Sequence, residues 1–360
     1  FDNKNKSNFI DSGMVNKLNN KKSYPSLIRN FIKFILKIKY FIDSYIALPD
    51  DHWPWIISSY FLTRKIYAKN KPFMIISTFP VSSHIVASKI KSIDSKTKWI
   101  AEFPDLWSFN HLYPYGNLRQ KLDILIEKKV MKGCDKIITC QKGWTNTLKK
   151  LHDTNIQYIP HCINLKLHEE FNKKNINSKS FKIRYLGTFL PQQLKYLKIF
   201  MKAFDNFIDF LIEKKIFKIN NISVEFIGSK SSDLENLIEN QKHKSYFHIL
   251  PKVSYENSIE LMHTCELLLL PLYFDNNKLI NCHSSKIIDY LGSKNKCLII
   301  GDHCEDFKIL LNNQYPLINS EDKCFKILAK LFEDRKSYDS LRIGKKLDLK
   351  EFSISTLSSR

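Results

Sequence analysis

The feature that most constrains the fold is a rhythm. Short apolar runs of strand length alternate with longer amphipathic stretches, the pattern of βα units that feed parallel sheets. Strands are expected at Phe73–Thr78, Lys98–Phe103, Lys136–Cys140 and Gln157–Ile159, and in a second series at Lys182–Gly187, Ser223–Ile227, Phe247–Leu250, Leu267–Leu270 and Lys296–Ile300. Pro80, Pro104, Pro160, Pro191, Pro251 and Pro271 each sit at or just past the carboxyl end of an apolar run. Proline has no amide hydrogen to give the ladder, so the strand stops and a loop or helix follows. In open α/β sheets ligands bind outside the carboxyl ends of the strands, which makes the loops after these prolines the place to look for chemistry.

The polar stretch Asn172–Ser180 separates the two strand series and reads as a linker. With 360 residues, 43% of them apolar, the chain suits two domains, expected over 1–175 and 176–340 with a tail over 341–360. Helices are expected over Trp53–Ala68, Ser82–Ile90, Asn117–Met131, Leu194–Glu213, Tyr255–His263, Ser285–Leu291 and Lys323–Phe332. The 9 glycines never fall in GxG or GxxG spacing, so neither a dinucleotide fingerprint nor a Walker A loop is present. No apolar run reaches the roughly 18 residues of a membrane span. The chain opens on FDNKNK, without Met or a secretory leader pattern, and reads as a piece lacking its N-terminal segment.

A net charge of +21 invites a nucleic-acid reading. Only 7 of the 57 basic residues are Arg, however, and phosphate-gripping proteins lean on the planar Arg fork. No nucleic-acid partner is expected. The excess is concentrated in residues 1–175, which carry +15, against +6 for the remainder. That asymmetry fits an anionic membrane surface or a phosphate-bearing partner for the first half. Within Pro25–Asp43, Leu27, Ile28, Phe31, Ile35, Ile38 and Phe41 follow helical spacing, while Arg29, Lys33 and Lys37 stand four apart on another face. Such a helix can lie on an anionic bilayer; an ordinary domain helix with a solvated basic face is the plainer alternative. The 8 cysteines contain no CxxC pair. His161–Cys162, Cys282–His283 and His303–Cys304 are neighbours whose side chains point apart, so no metal site is expected and free thiols in a reducing cytoplasm are.

Three loops carry candidate chemistry. In WIAEFPDLW, Asp105 stands just past a strand and suits polyol binding or proton transfer, or else caps the following turn; Glu102 across Pro104 is not rigidly paired with it. In STFPVSSHIVASKI, Ser82, Ser83 and His84 open a helix whose free amides can take a phosphate or sugar, with His84 as a proton-transfer group or a local hydrogen-bonding residue. In NCHSSKIIDYLGSKNKCLII, Ser284 or Ser285 caps a helix with Lys286 in its first turn and Asp289 three residues on, on the same face. Lysine at a helix N-terminus opposes the dipole unless an anion sits there, which makes Lys286 a diphosphate contact and Asp289 a partner for a ribose diol. An internal Lys286–Asp289 pair is the alternative.

In order and spacing, LPDDHWPW, MIISTFPVSSH, WIAEFPDLW, IEKKVMKGCDKIITC, YIPHCIN, KIRYLGTF and KIIDYL resemble the motifs of glycosyltransferase family 4, notably its bacterial surface-polysaccharide members, from about Leu48 to Leu311. The resemblance implies an α/β fold of the GT-B kind, two Rossmann-like parallel-sheet domains facing a cleft. It implies retaining transfer of a sugar from a nucleotide-sugar donor to a lipid-linked or polysaccharide acceptor, without a cofactor or metal, in cell-surface glycan synthesis such as capsule or lipopolysaccharide. The setting it implies is the cytoplasm, at the inner membrane face. Carried over by motif, Asp289 takes the place of the ribose-holding Glu, Lys286 that of the Lys before it, and Gly187–Thr188 that of the turn beside the diphosphate, with Ser285 at the same helix start; Asp105 and His84 fall on the acceptor side. The chain departs from the family at Glu102 for Asp, Pro104 for Arg, His161–Cys162 for Asn-Gly, Asp289 for Glu, and Asn281 where many members carry a further Glu. A nucleotide-sugar 2-epimerase of the same architecture is the competing enzyme, although its paired acid–base carboxylates and His are not recognisable. A basic, non-enzymatic binding protein would need clustered Arg, and the Arg are scattered.

Overall fold

The computed structural model describes residues 26–110, 113, 115–172, 180–216, 221–275, 278–279, 284–302, 305–311, 315–343 and 347–357. The chain forms two compact units that divide between Ile159 and Pro160.

In the first unit, helices α1 (Ser26–Tyr45) and α2 (Trp55–Asn70) precede a βα series. Its members are β1 (Met74–Ser77), α3 (Ser82–Lys91), β2 (Lys98–Phe103), α4 (Asn117–Met131), β3 (Lys136–Thr139), α5 (Lys142–Leu151) and β4 (Asn155–Tyr158). The four strands pair in parallel in the order β1-β2-β3-β4. Right-handed crossovers that always step the same way put α3, α4 and α5 on one face. Trp99, Ala101, Phe103, Ile137 and Ile156 are buried on that face, beneath Val86, Ala87 and Ile90 of α3. The register sets Ile76, Ile100, Glu102, Ile138 and Gln157 on the other face, which is half-buried to exposed.

Helix α4 inverts the usual amphipathic rule. Its Leu118, Leu122 and Leu125 are exposed, while Arg119, Asp123 and Glu127 are buried. The inward stripe is a set of tethers. Arg119 donates to Asp123 (2.9 Å) and to the carbonyls of Ala47 and Pro49 (2.9 Å each). Tyr113 donates to Asp123 as well, and Glu127 accepts from the Ser108 amide (3.0 Å) and pairs with His152 (3.1 Å). Breaking a buried pair of this kind typically costs about 3–5 kcal/mol, because the surviving charge loses its partner, so the loops on either side are held firmly.

In the second unit, α6 (Leu165–Asn172) leads into β5 (Phe181–Leu186), α7 (Leu194–Glu213), β6 (Ile222–Ile227), α8 (Ser232–Glu239), β7 (Phe247–Leu250), α9 (Tyr255–His263) and β8 (Leu267–Pro271). A two-residue antiparallel ladder, β9 (Phe274–Asp275) with β10 (Lys278–Leu279), is followed by α10 (Lys286–Ser293), β11 (Cys297–Ile300), α11 (Glu305–Leu310) and α12 (Glu321–Glu333). The sheet is parallel in the order β11-β8-β5-β6-β7. The chain therefore winds outward from β5 one way and then the other, the Rossmann pattern with its switch point beside β5. Its core is dense: α7 alone buries Phe200, Phe204, Phe207, Ile208 and Leu211 against the sheet, each worth about 1.5–3 kcal/mol of transfer free energy.

The division falls earlier than the expected 175/176 boundary, because apolar contacts outweigh the polarity of 172–180. Ile163 is fully buried in the second core, and His168 of α6 lies against Gly292 of α10, where an added Cβ would come within 2.5 Å of the imidazole. The stretch from 341, expected as a tail, also belongs there: Leu341, Ile343 and Leu349 are core residues, and the Ile163 amide donates to the Phe352 carbonyl (2.7 Å). Helices α5, α6, α8 and α11 have no counterpart among the sequence expectations. Asn281, Cys282, His283, His303 and Cys304 lie outside the described residues.

Candidate functional site

The central strand of the second sheet and its neighbour β6 end alike. β5 runs into Gly187 at φ +101° and β6 into Gly228 at φ +76°, both in the left-handed region open to glycine. The Gly187 amide donates to the Ile227 carbonyl and the Gly228 amide to the Leu250 carbonyl, which turns the chain away and opens a crevice at the carboxyl edge. A cavity of about 280 Å³ lies there, lined by Gly187, Thr188, Gly228, Lys252, Ser254, Tyr255, Lys286 and Asp289 among others. Gly187 is favoured by its φ, and it also lets the Lys286 side chain lie close, since a Cβ would fall 2.5 Å from Cε of Lys286 and push that side chain aside.

Lys286 and Asp289 both face this cavity from the first turn of α10, because Ile287, Ile288, Tyr290 and Leu291 take the buried face of the helix. They do not pair with each other. The Lys286 ammonium donates to the Tyr185 hydroxyl (2.9 Å) and the Thr188 carbonyl (2.9 Å), both neutral acceptors. Tyr185 in turn is held by the Gln193 amide oxygen (2.7 Å), and Gln193 by the Pro271 carbonyl (2.8 Å). Burial lowers the Lys286 pKa to about 8. Asp289 accepts from the Tyr255 hydroxyl (2.9 Å), and burial raises its pKa while that hydrogen bond opposes the rise. Ser285 is exposed, makes no side-chain cap and is not part of the cavity lining; the Lys286 amide reaches Ser284 instead, at 3.4 Å.

A roomier cavity of about 670 Å³ lies beyond β11, lined by Gly301, Asp302, Phe307 and Tyr315 among others. Its carboxylate is already engaged, Asp302 accepting from Tyr196 (2.8 Å) and Asn319 (3.3 Å). The smaller cavity is the better binding site because Lys286 and Asp289, both half-buried, face it without pairing with each other, and exposed Lys252 adds a second cation to its lining.

In the first unit, His84 is a core residue. It is 1% exposed, stacks on Phe103 (centroids 4.7 Å apart) and meets the Ser77 hydroxyl at Nδ1 (2.7 Å). Trp99 donates its indole N–H to the same Ser77 oxygen (2.9 Å), so one hydroxyl ties both rings to the end of β1. Burial pushes the His84 pKa down to about 3, which keeps the ring neutral and makes it a poor proton acceptor. The helix start beside it is also occupied: the Asp50 carboxylate accepts from the Ser82 amide (2.9 Å), standing where a phosphate or sugar was expected. Asp105 fits a functional role better. It is half-buried just past β2, its pKa is raised by burial, and no partner reaches it among the described residues.

Tyr255, Tyr185, Lys252 and Asp50 were not singled out from sequence. Each had a signal: Lys252 and Tyr255 follow Pro251, Tyr255 directly after the Ser254 cap that accepts from the Asn257 amide (3.2 Å), and Tyr185 and Asp50 lie within KIRYLGTF and LPDDHWPW.

Compared by sequence, the chain matches no family model and no curated protein. Solved structures are similar in fold. Sucrose-phosphate synthase from Thermosynechococcus elongatus has a TM-score of 0.63 at 11% identity, over 86% of this chain and 76% of that one. Anabaena HepE in complex with UDP has a TM-score of 0.60 at 9% identity, over 85% and 80%. A glycosyltransferase from Rickettsia africae has a TM-score of 0.56 at 13% identity, over 84% and 78%. A Listeria monocytogenes protein assigned as a UDP-N-acetylglucosamine 2-epimerase shares the fold at a TM-score of 0.50 and 11% identity, over 81% of this chain and 73% of that one. At these identities the likeness defines the fold: α/β, two Rossmann-like parallel-sheet domains of the GT-B kind.

The half-buried ammonium has a measurable consequence for stability. Between about pH 8 and 10.5 the unfolded chain keeps a proton that folded Lys286 has released, so stability rises with pH in that window. Below it the charged group carries its full burial cost. In a buffer free of phosphate, Lys286→Met is therefore expected to melt at or above the wild-type temperature at pH 7 and to lose the rise above pH 8. A variant melting several degrees lower at pH 7 would show that the ammonium stabilises the fold.

Proposed function

We propose that this protein is a retaining glycosyltransferase of family 4 that takes a sugar from a nucleotide-sugar held in the second unit. The observation that carries the reading is the Lys286–Asp289 arrangement: a half-buried cation that donates, among the described residues, to neutral acceptors, and a half-buried carboxylate in the same cavity, three residues apart and unpaired with each other. A diphosphate answers the first and a ribose diol the second. As the bond from sugar to diphosphate breaks, negative charge grows on the leaving oxygen, and Lys286 is pre-placed to meet it in a cavity where Coulomb interactions are weakly screened. That role needs neither a metal nor another cofactor. The turn Gly187–Thr188 brings backbone close to the same charge. Anabaena HepE has been solved with UDP and with UDP-glucose, which supports the donor class. On the acceptor side the reading rests on Asp105, and the resemblance favours a lipid-linked or polysaccharide acceptor in surface-glycan synthesis on the cytoplasmic side.

An epimerase of this fold would need acid–base groups beside the sugar, whereas Asp289 is the one carboxylate among the described lining residues. A nucleic-acid reading is further weakened by burial of Arg119 and Arg184, both committed to ion pairs.

Helix α1 supports a membrane-surface setting. Ile28, Phe31, Ile35, Ile38, Phe41 and Tyr45 recur at helical spacing and are all exposed, as are Trp55, Ile57 and Phe61 in α2. No helix among the described residues is long and apolar enough to cross a membrane. The protein is expected to sediment with anionic vesicles and not with zwitterionic ones; equal retention on both, or on neither, contradicts the electrostatic part of this reading.

The donor site is tested by thermal shift with UDP, GDP, ADP and their common sugar conjugates. One nucleotide family is expected to stabilise the wild type, with Asp289→Ala weakening its binding by about 1–3 kcal/mol, the cost of losing a charge-assisted hydrogen bond. No shift with any nucleotide, from a sample that unfolds cooperatively, contradicts the reading.

A further inference from the structure

We propose that Tyr255 is the positioning residue for the diol-binding carboxylate, fixing Asp289 so that the nucleotide pocket selects a ribose over a deoxyribose. The inference rests on the nucleotide-sugar reading above. It concerns a residue that the motif resemblance does not assign.

The two residues come from different helices. Tyr255 opens α9, directly after the Ser254 cap, and Asp289 sits in the first turn of α10. Both line the cavity, and the Tyr255 hydroxyl donates to Oδ1 of Asp289 at 2.9 Å. No donor reaches Oδ2 among the described residues, so one carboxylate oxygen is held and the other is left to accept from a ligand.

The need for such a hold follows from side-chain length. The motif that KIIDYL resembles carries Glu where this chain has Asp289, so the carboxylate lies one methylene closer to the helix. A shorter side chain has fewer torsions but also less reach, and a small swing of its carboxyl group would lose a vicinal diol. Charge-assisted hydrogen bonds from phenols are short and directional. Tyr255 also holds the carboxylate in its ionised form: burial raises the Asp289 pKa, and the Tyr255 hydrogen bond opposes that rise. The phenol itself stays protonated, because burial and the neighbouring carboxylate both push its pKa up. The donor is therefore permanent across the working pH range, and Tyr255 cannot compete with a ligand hydroxyl as an anion.

The rear of the same two helices is also joined. His263 ends α9 and meets His168 (3.1 Å), whose ring lies against Gly292 of α10. With that joint intact, Tyr255→Phe removes one oxygen at a half-exposed position and leaves the helix packing in place.

The test uses calorimetric binding of UDP, GDP and ADP and of their 2′-deoxy forms to the wild type, Tyr255→Phe, Asp289→Ala and the double variant. For whichever nucleotide binds, Tyr255→Phe is expected to lose about tenfold in affinity for the ribo form and much less for the 2′-deoxy form. It should also lose binding at a higher pH on the acid side than the wild type does. In the Asp289→Ala background, Tyr255→Phe should add less than a twofold loss, because the tyrosine acts through the carboxylate. Wild-type discrimination retained in full by Tyr255→Phe overturns this proposal alone, and so do losses that multiply in the double variant. Failure of the wild type to bind any of the nucleotides overturns it together with the reading beneath it.

Discussion

The second unit is organised around a cation that pairs with no anion among the described residues. Lys286 stands at the start of α10, where the helix dipole already disfavours positive charge, and is packed half-buried against Tyr185 and Gly187, donating to a hydroxyl and a carbonyl. Leaving a charge in such a place costs stability, because the neutral acceptors return less than water did. The surroundings are shaped to hold it nonetheless. Gly187 has no Cβ to push the side chain out, Gln193 fixes Tyr185, and the Tyr290 hydroxyl accepts from the Leu186 amide so that the end of β5 cannot drift. A chain selected for stability alone would place Met or Leu there. An ammonium kept at that cost is what the proposed donor site would use against an anionic ligand.

The first unit spends its buried charges differently. Arg119, Asp123 and Glu127 form a stripe along α4, and each is answered by a partner that belongs to a loop or a neighbouring segment. Asp50 does the same for the N-terminus of α3. Each of these groups is tied to at least one partner and so holds shape. Asp105, half-buried and without a partner among the described residues, is the exception, as Lys286 is in the second unit. The contrast between charges with an ionic or backbone tether and charges that meet no opposite charge among the described residues separates scaffold from candidate site in both units.

Most of the architecture was legible because strand-length apolar runs and helical periodicity are local signals. Lys98–Phe103, Asn117–Met131, Leu194–Glu213, Phe247–Leu250 and Tyr255–His263 stand where the pattern placed them. Local patterning could not reveal the inverted face of α4, whose meaning depends on carbonyls some seventy residues earlier in the chain. Nor could it place the boundary between units, which Ile163 and His168 decide by contacts with distant residues. The site divides the same way. Spacing placed Lys286 and Asp289 on one face, but whether they pair was open, and the Tyr185, Thr188 and Tyr255 contacts close it. His84 looked reactive in a polar segment, yet alternation along β2 brings Phe103 against its ring and burial keeps it neutral.

The central claim, that Lys286 awaits an anion, is tested most directly by proton uptake on binding. Bringing a diphosphate against an ammonium whose pKa is about 8 must raise that pKa, so binding at a pH slightly above 8 draws a proton from solution. Titration of the nucleoside diphosphate in buffers of different ionisation enthalpy measures that proton. The account predicts a substantial fraction of one proton taken up by the wild type near pH 8.5, and none by Lys286→Met. Tight binding with no uptake by the wild type would place the diphosphate elsewhere and contradict it.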